Sequence, residues 1–190
     1  MPVVVLDAVH WTQLEQVQLQ TNHAVRYESD MELFGVPEWW EPAAGAGDCE
    51  DIALTKRRRL LDMGWPAESL RIAVLADGHG GLHAVLTVDV QSQRGKPGTY
   101  VLDSHFAHVE PWRTLNQYGY WWLARSRPGS SDWARLDGGS TSGDALMASL
   151  IATPVGEAPR WDDASAKVVR VKVQVNPVED ASASLDRRSR

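Results

Sequence analysis

The chain is short of cysteine, and this scarcity excludes several classes of small protein. Its 190 residues include a single cysteine, Cys49, so an internal disulfide and a zinc site built on a CxxC motif are both ruled out. A lone cysteine is either an inert packing residue or a nucleophile. The residues around Cys49 must therefore decide which of the two it is.

Basic residues and long apolar runs are also scarce. The chain has 19 Lys+Arg against 25 Asp+Glu, a net charge of −6, whereas a dedicated nucleic-acid binder carries a basic face. No apolar run approaches the roughly 20 residues that a membrane span requires. The opening segment, MPVVVLDAVHW, lacks the basic start of a classical signal peptide. We therefore expect no nucleic-acid partner, no membrane span, and a cytoplasmic or particle-associated rather than a periplasmic protein.

The remaining composition is typical of a globular protein, with 43% hydrophobic and 23% charged residues. It changes after Leu136, where the sequence DGGSTSG indicates a linker. We predict a domain over residues 1–136, an extension over 137–178 and a flexible tail over 179–190. Within the extension, the pattern favours a helix over 144–152 and a strand over 168–175.

Helix and strand signals occur in two successive blocks. Helices are predicted over 11–25 and 48–63, a loop over 27–47, and strands over 70–76, 82–90, 100–103, 118–124 and 133–136. Helices followed by an antiparallel meander indicate an α+β fold, with N-terminal helices packed on an antiparallel sheet. One face of the first helix is predicted to be buried, and it consists of Leu14, Val17, Gln18 and Thr21.

The second predicted helix places Cys49 at its first position. Asp48 suits the N-cap and Asp51 follows three residues later, an arrangement like a capping box. The free N–H groups at a helix start favour negative charge, so we expect this position to lower the pKa of the Cys49 thiol. The basic run Lys56–Arg59 is spread over every face of the helix and is predicted to be solvated surface.

Two later residues could complete a site of nucleophilic catalysis. His83 lies near the start of the second predicted strand, and Asp103 lies at the end of the third. If these strands are neighbours, a general base and an orienting carboxylate converge on Cys49. Asp103, His105 and His108 offer a metal site as an alternative, although His and Asp at such loose spacing after a strand are more often solvated surface residues.

Residues 45–56, GAGDCEDIALTK, resemble the nucleophile motif of the bacterial transglutaminase-like cysteine proteinases, a family that includes periplasmic proteases that release biofilm adhesins. The resemblance covers about residues 11–136, with LHAVL and YVLD as the histidine and aspartate strands. It departs from the family pattern at Gln18, where an Asn is usual, and at Ser104, where an Asn is common. The residues that match the family upstream of the cysteine are Asn22, Tyr27, Asp30, Glu38, Trp39, Trp40 and Pro42.

The resemblance implies a papain-like/transglutaminase-like core and a cysteine peptidase that needs no cofactor for its chemistry. In such an enzyme Cys49 is the nucleophile that forms a thioester, His83 is the base, and Asp103 orients the base. The backbone N–H of Cys49 is expected to bind the oxyanion together with a second donor. Candidates for that second donor are Gln18, Trp39 and Trp40.

The acidic residues beside the cysteine pose an electrostatic problem. Asp48, Glu50 and Asp51 place three carboxylates near a sulfur that should become anionic, and like charges raise the pKa of a thiol. Oxygen ligands at a loop–helix junction suit calcium, and the resemblance implies calcium dependence through this segment. A calcium site on these three residues and plain helix capping are the two explanations that the sequence leaves open.

Two other functions remain compatible with the same residues. An amidase or a true transglutaminase would keep the triad and pass the acyl group to a different acceptor. A non-catalytic structural or assembly module, for example in a phage tail, would use the fold without the chemistry. The peptidase interpretation predicts a protein or peptide substrate and leaves any assembly or receptor partner open.

Overall fold

The computed structural model describes residues 4–78, 81–130 and 132–136, together with the backbone of two short strands at 161–162 and 167–168. The predicted linker, extension helix and tail lie outside the described residues. The predicted strand over 168–175 also lies outside them, apart from Val168. The described fold therefore falls almost entirely within the first predicted domain.

Helices and an antiparallel sheet pack together, which confirms the predicted α+β class. Helices α1 and α3 contact each other, and α3 packs against the sheet. Among the described residues, no helix combines the length and apolar character needed to cross a bilayer. The helices are α1 (Ala8–Ala24), α2 (Asp30–Phe34), α3 (Cys49–Asp62) and α4 (Trp112–Leu115), with 3-10 turns at Ala67–Ser69 and Asn116–Tyr118. The strands are β1 (Val5–Leu6), β2 (Arg26–Tyr27), β3 (Ala46–Gly47), β4 (Leu70–Ala76), β5 (Leu82–Ser92), β6 (Pro97–Leu102), β7 (Glu110–Pro111), β8 (Trp121–Ser126), β9 (Trp133–Arg135), β10 (Trp161–Asp162) and β11 (Lys167–Val168).

The central strands of the main sheet form the predicted antiparallel meander. The strand order is β7-β6-β5-β4-β8-β9, and β1 adds a short parallel pairing at the end of β5. The β4–β5 hairpin aligns Leu75 with His83, and β5 aligns Leu86 with Leu102 of β6. Extending that last register toward the start of β5 places His83 beside the residues that follow β6.

The segment predicted as a loop over 27–47 contains short regular structure. β2 and β3 pair in parallel at its two ends, with Arg26 opposite Ala46, and α2 lies between them. α2 begins with a capping box formed by Ser29 and Glu32 and ends at Gly35, where φ is 68°. The capping signals are present in the sequence, but the surrounding glycines and prolines favour a loop.

Helix α1 buries the face that the sequence predicts. The helix begins earlier than predicted because the Asp7 side chain accepts a hydrogen bond from the backbone N–H of His10 at 2.8 Å and so caps it. This cap adds one turn ahead of Trp11. The buried residues of the helix are Leu14, Val17, Gln18 and Thr21.

Helix α3 is buried on more sides than the sequence predicts. Lys56 is fully buried and Arg57 is 5% exposed, and the Arg57 Nε donates to the carbonyl oxygen of Leu70 at 3.1 Å. The prediction of a solvated basic run is wrong for these two residues. The reason is that α3 lies against both α1 and the sheet, so a larger part of its circumference is covered.

The sheet separates two apolar clusters, because alternate residues of β4 and β5 face opposite sides. The cluster that includes the helices contains, among others, Leu14, Ala53, Leu60, Ile72, Val74, Ala84 and Leu86. The other cluster contains Ala73, Leu75, Val85, Val101, Leu115 and Trp122. His83 is two residues from Val85, and Asp103 is two residues from Val101. Residues two apart in a strand share a face, so His83 and Asp103 belong to the side of the second cluster.

Candidate active site

His83 and Asp103, which the sequence predicts to act together, meet at one end of the sheet. His83 is the second residue of β5, Asp103 directly follows β6, and both are almost fully buried. The His83 Nε2 lies 2.7 Å from Asp103 Oδ1. Burial alone would raise the pKa of Asp103, but the hydrogen bond and charge of His83, together with hydrogen bonds from the His105 backbone and Tyr120, outweigh it and lower that pKa. The carboxylate is therefore the acceptor, and Nδ1 of His83 is the nitrogen left to exchange a proton.

Tyr120 and His105, which the sequence does not assign to this pair, complete its surroundings. Tyr120, just before β8, donates its hydroxyl to Asp103 Oδ2 at 2.8 Å. The backbone N–H of His105 donates to Asp103 Oδ1 at 2.8 Å. The His105 ring stacks on the His83 ring, with centroids 4.0 Å apart and an interplanar angle of 1°. The β5–β6 register is the one signal that could have indicated this stacking.

Cys49 occupies the first position of α3, as predicted, and lies against the start of β5. Its Sγ accepts a hydrogen bond from the backbone N–H of Ala84 at 3.4 Å and donates to Glu50 Oε2 at 3.2 Å. Ala84 directly follows His83, so the helix start brings the thiol to the strand that carries the histidine. A direct contact between the sulfur and the His83 ring stays a prediction.

The electrostatics of the thiol differ from the sequence-based expectation. Burial raises the pKa of Cys49 well above its ordinary value, and the adjacent Glu50 carboxylate raises it further. The hydrogen bond from the Ala84 amide acts in the opposite direction but does not compensate. The helix start is therefore outweighed, and a thiolate at this position needs a source of positive charge.

The capping interpretation of the acidic residues is wrong. Asp48 is the N-cap residue of α3, but its side chain makes no capping hydrogen bond, and its Oδ2 lies 3.4 Å from the backbone nitrogen of Asp30. The Asp51 Oδ1 accepts from the backbone N–H of Glu41 at 3.0 Å. Gly47 makes room for this arrangement, since a Cβ there would lie 2.7 Å from Asp51. Both carboxylates thus hold the preceding segment against the helix.

Asp30, Asp48 and Glu50 gather their carboxylates beside the nucleophile. One oxygen from each lies within 4.8 Å of the others, and Asp30 and Glu50 are buried. Each of the three has one buried oxygen without a hydrogen-bond partner in the described part of the chain. Such oxygens are costly to bury, and an all-oxygen group of this kind suits calcium. Asp30 rather than the predicted Asp51 completes the group, because the Asp51 carboxylate is turned toward the loop.

The carboxylates of this region repel one another. Burial raises the pKa of Glu50 well above its ordinary value, and Asp48 and Glu38 add to the effect. Burial and the charge of Asp48 raise the pKa of Asp30 to about 7, and burial raises the pKa of Asp51 to about 8. A divalent cation among these groups would favour their ionised forms and so act against each of these shifts.

Gln18 does not have the surroundings of an oxyanion donor. It is fully buried in α1, and its Nε2 donates to the carbonyl oxygens of Asp103 and Phe106 at 2.7 and 2.6 Å. The Asn22 Nδ2 donates to the same Phe106 oxygen at 2.9 Å. Gln18 therefore fixes the loop that follows β6, and its amide is not free to bind an oxyanion.

The two tryptophan candidates differ from each other. Trp40 is 7% exposed, and its Nε1 lies 3.3 Å from Glu38 Oε2, so its indole N–H is already engaged. Trp39 is partly exposed, donates its backbone N–H to the Asp30 carboxylate, and lies with its ring 5.9 Å from the ring of Phe34. Of the three predicted donors, Trp39 is the one that is partly exposed.

The alternative metal site on the loop after β6 is not assembled as predicted. The His108 Nδ1 lies 3.4 Å from Glu15 Oε2. His105 and Asp103 are close to His83 instead. His83 and Asp103 are already joined by a direct hydrogen bond. The geometry of His83, Asp103 and His105 therefore favours hydrogen bonding over metal ligation.

A buried lysine lies behind the site. Lys56 follows Cys49 by about two turns on the same face of α3, and its Nζ has no hydrogen-bond partner within the described ranges. Burial lowers the pKa of Lys56 to about 7, and the charge of Asp103 opposes that shift. Its helical spacing from Cys49 places it on that face, whereas its neighbour Arg58 is exposed.

Comparison with known proteins gives one consistent result. A family model described as bacterial transglutaminase-like cysteine proteinase BTLCP matches residues 1–141. A structure of Legionella pneumophila LapG is similar, with 27% identity and a TM-score of 0.51 over 72% of this chain and 76% of that one. Its calcium-bound form has 24% identity and a TM-score of 0.50, over 72% and 77% of the two chains. The EGTA-treated form has 24% identity and a TM-score of 0.53, over 72% and 76%. No curated protein sequence matches the chain.

Proposed function

Because the chain belongs to the bacterial transglutaminase-like cysteine proteinase family, we propose that Cys49, His83 and Asp103 form the catalytic triad of a peptidase that acts on a protein substrate. The observation that carries the proposal is the buried His83–Asp103 hydrogen bond, next to a cysteine whose sulfur touches the same strand. Family membership supports the reaction class, and this geometry supports the roles of the three residues.

The proposed reaction proceeds through a thioester. The Cys49 thiol gives its proton to Nδ1 of His83, and the sulfur attacks the carbonyl carbon of the peptide bond. The C–N bond breaks as His83 passes the proton to the leaving amine. Water then attacks the thioester with His83 as general base, the C–S bond breaks, and the acid product leaves. Asp103 keeps the imidazole oriented through both steps.

The tetrahedral intermediates need donors for their negative oxygen. The backbone N–H of Cys49 lies in the first turn of α3, where N–H groups have no partner within the helix. We propose the Trp39 indole as the second donor. The reason is that the other two candidates, Gln18 and Trp40, already donate to groups within the protein.

We also propose that calcium binds the carboxylates of Asp30, Asp48 and Glu50. Three buried oxygens without partners support this site, and one of the similar structures is that of a calcium-bound protein. A divalent ion would offset the Glu50 charge, which is one of the causes that raise the pKa of Cys49. Calcium would thereby supply the positive charge that a thiolate requires at this position.

A mixture of peptides from a digested bacterial proteome, offered with calcium and methylamine, tests the reaction class. Mass spectrometry distinguishes three products: new peptide termini from hydrolysis, glutamate in place of glutamine from an amidase, and methylamide from a transglutaminase. We expect new termini. Cys49→Ala and His83→Ala should abolish them, whereas His23→Ala, at an exposed histidine of α1, should retain them.

The other outcomes assign the other functions. Glutamate or methylamide without new termini would replace the peptidase by an amidase or a transglutaminase. A folded wild-type protein that gives none of the three products would favour a structural or assembly module.

A further inference from the structure

Two aromatic side chains outside the proposed triad close around its histidine and carboxylate. Tyr120 reaches Asp103 from the turn before β8, and His105 covers the face of His83. The Tyr120 hydroxyl also lies 3.4 Å from His105 Nδ1. The four residues thus form a closed ring of contacts, His83–Asp103–Tyr120–His105.

Tyr120 removes the rotational freedom of the Asp103 carboxylate. Oδ1 is already engaged by His83 and by the His105 backbone, and the Tyr120 hydroxyl engages Oδ2 at 2.8 Å. Burial and the negative charge of Asp103 raise the pKa of Tyr120, so the phenol keeps its proton and remains a donor. With both oxygens held, Oδ1 stays aimed at Nε2 of His83.

His105 restricts the other partner. Its ring is parallel to that of His83, and a rotation of the His83 ring about Cβ–Cγ out of this plane would break both the stacking and the bond to Asp103. His105 itself is fixed by the backbone N–H that donates to Asp103. The stacked ring also covers one face of the imidazole, so water reaches the His83–Asp103 bond less easily.

The surroundings of His105 favour its neutral form. Burial lowers the pKa of His105, and the charges of His83 and Lys56 lower it further, while Asp103 and Asp77 oppose them.

We propose that Tyr120 and His105 are positioning residues, which together hold Asp103 and His83 in the mutual orientation that proton exchange with Cys49 requires. This inference rests on the proposed triad. Neither residue belongs to the proposed triad, so both act through the two residues that they hold.

Tyr120→Phe tests the first half of the proposal, because it removes only the hydroxyl. With the peptide that the wild-type protein cleaves fastest, we expect kcat to fall roughly tenfold at an unchanged KM. The matched control is Tyr118→Phe, since Tyr118 is 49% exposed and its hydroxyl makes no hydrogen bond to a described residue. This control should keep the wild-type kcat.

A pair of substitutions tests the stacking. His105→Ala removes the ring and should lower kcat, whereas His105→Phe keeps an aromatic face on His83 and should restore most of the activity. The low-field NMR signal of the His83 Nε2–H proton should be sharp in the wild type, Tyr118→Phe and His105→Phe. It should broaden through faster exchange with water in Tyr120→Phe and His105→Ala.

The NMR signal separates this inference from the proposed function, because it does not depend on turnover. An unchanged signal and unchanged kcat in Tyr120→Phe and His105→Ala would overturn the inference, even if their melting temperatures fell. A wild-type protein without peptidase activity, whose signal still broadens in these two variants, would overturn the proposed function and leave the positioning intact.

Discussion

The backbone nitrogen of Ala84 lies 3.4 Å from the sulfur of Cys49. Ala84 directly follows His83, so the strand that carries the proposed base also touches the proposed nucleophile. The relative placement of these two groups thus depends on one stretch of main chain and on the start of α3. A displacement of β5 by a fraction of an ångström would move His83 and alter the Ala84–Cys49 contact at the same time.

Removal of the Asp103 charge should cost activity and acid-dependent stability. Asp103→Asn keeps the shape of the side chain, and we expect kcat to fall by at least about a hundredfold because the neutral amide cannot hold His83 in the same tautomer. The pKa of Asp103 is lowered from its ordinary value of 3.8, so its contribution to stability is present above that pH and is lost as the pH falls through the folded-state pKa.

Denaturant unfolding at a series of pH values measures this contribution. The wild type should exceed Asp103→Asn in stability at neutral pH, and the difference should shrink in acid. Asp132→Asn, at an exposed aspartate, is the control and should show no such trend. A difference that is independent of pH would contradict the assignment of a buried, ionised Asp103.

Calcium should raise the melting temperature through Asp30, Asp48 and Glu50. We expect EGTA to lower the melting temperature of the wild type, and the double change Asp48→Asn with Glu50→Gln to remove most of the difference. Asp51→Asn should retain it, since the Asp51 carboxylate faces the Glu41 amide instead. If Asp51→Asn lost the effect of calcium on melting temperature to the same extent, the ligands would instead be Asp48, Glu50 and Asp51, as predicted from the sequence.

Alkylation of Cys49 by iodoacetamide should be faster with calcium than with EGTA at neutral pH. The reason is that the Glu50 charge helps to raise the pKa of the thiol, and a bound cation offsets that charge. Glu50→Gln should therefore be alkylated faster than the wild type in EGTA. Because Cys49 is the single cysteine of the chain, the mass increase reports on this residue alone. Equal alkylation rates in all samples would show that neither calcium nor the Glu50 charge affects the reactivity of the Cys49 sulfur.

The buried Lys56 should impose a characteristic pH dependence on stability. Burial lowers its pKa from 10.5 to about 7, so between these values the unfolded chain binds more protons than the folded one, and stability rises with pH. The slope for one such group is about 1.4 kcal/mol per pH unit. Lys56→Met should remove this rise and be more stable than the wild type near pH 7.

The matched control for that experiment is Lys96→Met, at an exposed lysine in the β5–β6 turn. Its stability curve should parallel the wild type over the whole range. A Lys56→Met variant that kept the wild-type slope would show that the ammonium is paired or solvated in the folded protein.

Local sequence patterns were enough to predict the strands and the helix that carry His83, Asp103 and Cys49. The successive strands predicted over 70–76, 82–90 and 100–103 indicate an antiparallel meander, and the register of β5 and β6 then brings His83 to Asp103. The N-cap at Asp48 likewise predicts that α3 begins at Cys49. These features depend on residues that are close in sequence or on the period of the strand.

The remaining features depend on contacts between distant segments, which no local pattern encodes. Asp30 joins Asp48 and Glu50 because the β2–β3 pair returns the chain to the start of α3. Lys56 is buried because two elements cover the same helix. Tyr120 lies just before β8, on the other side of β4 from Asp103. Its position after Gly119 in the sequence does not indicate that it contacts Asp103.

The parallel pairing of β2 with β3 has a consequence for how this protein family can diversify. Arg26 pairs with Ala46 and so holds together the two ends of the segment between them. These ends stay paired whatever the length of the segment. Insertions between α2 and Trp39 would lengthen this segment without moving α3 or the sheet. We expect relatives that cut different polypeptides to vary most in this segment, while the spacing from Ala46 to Cys49 stays constant.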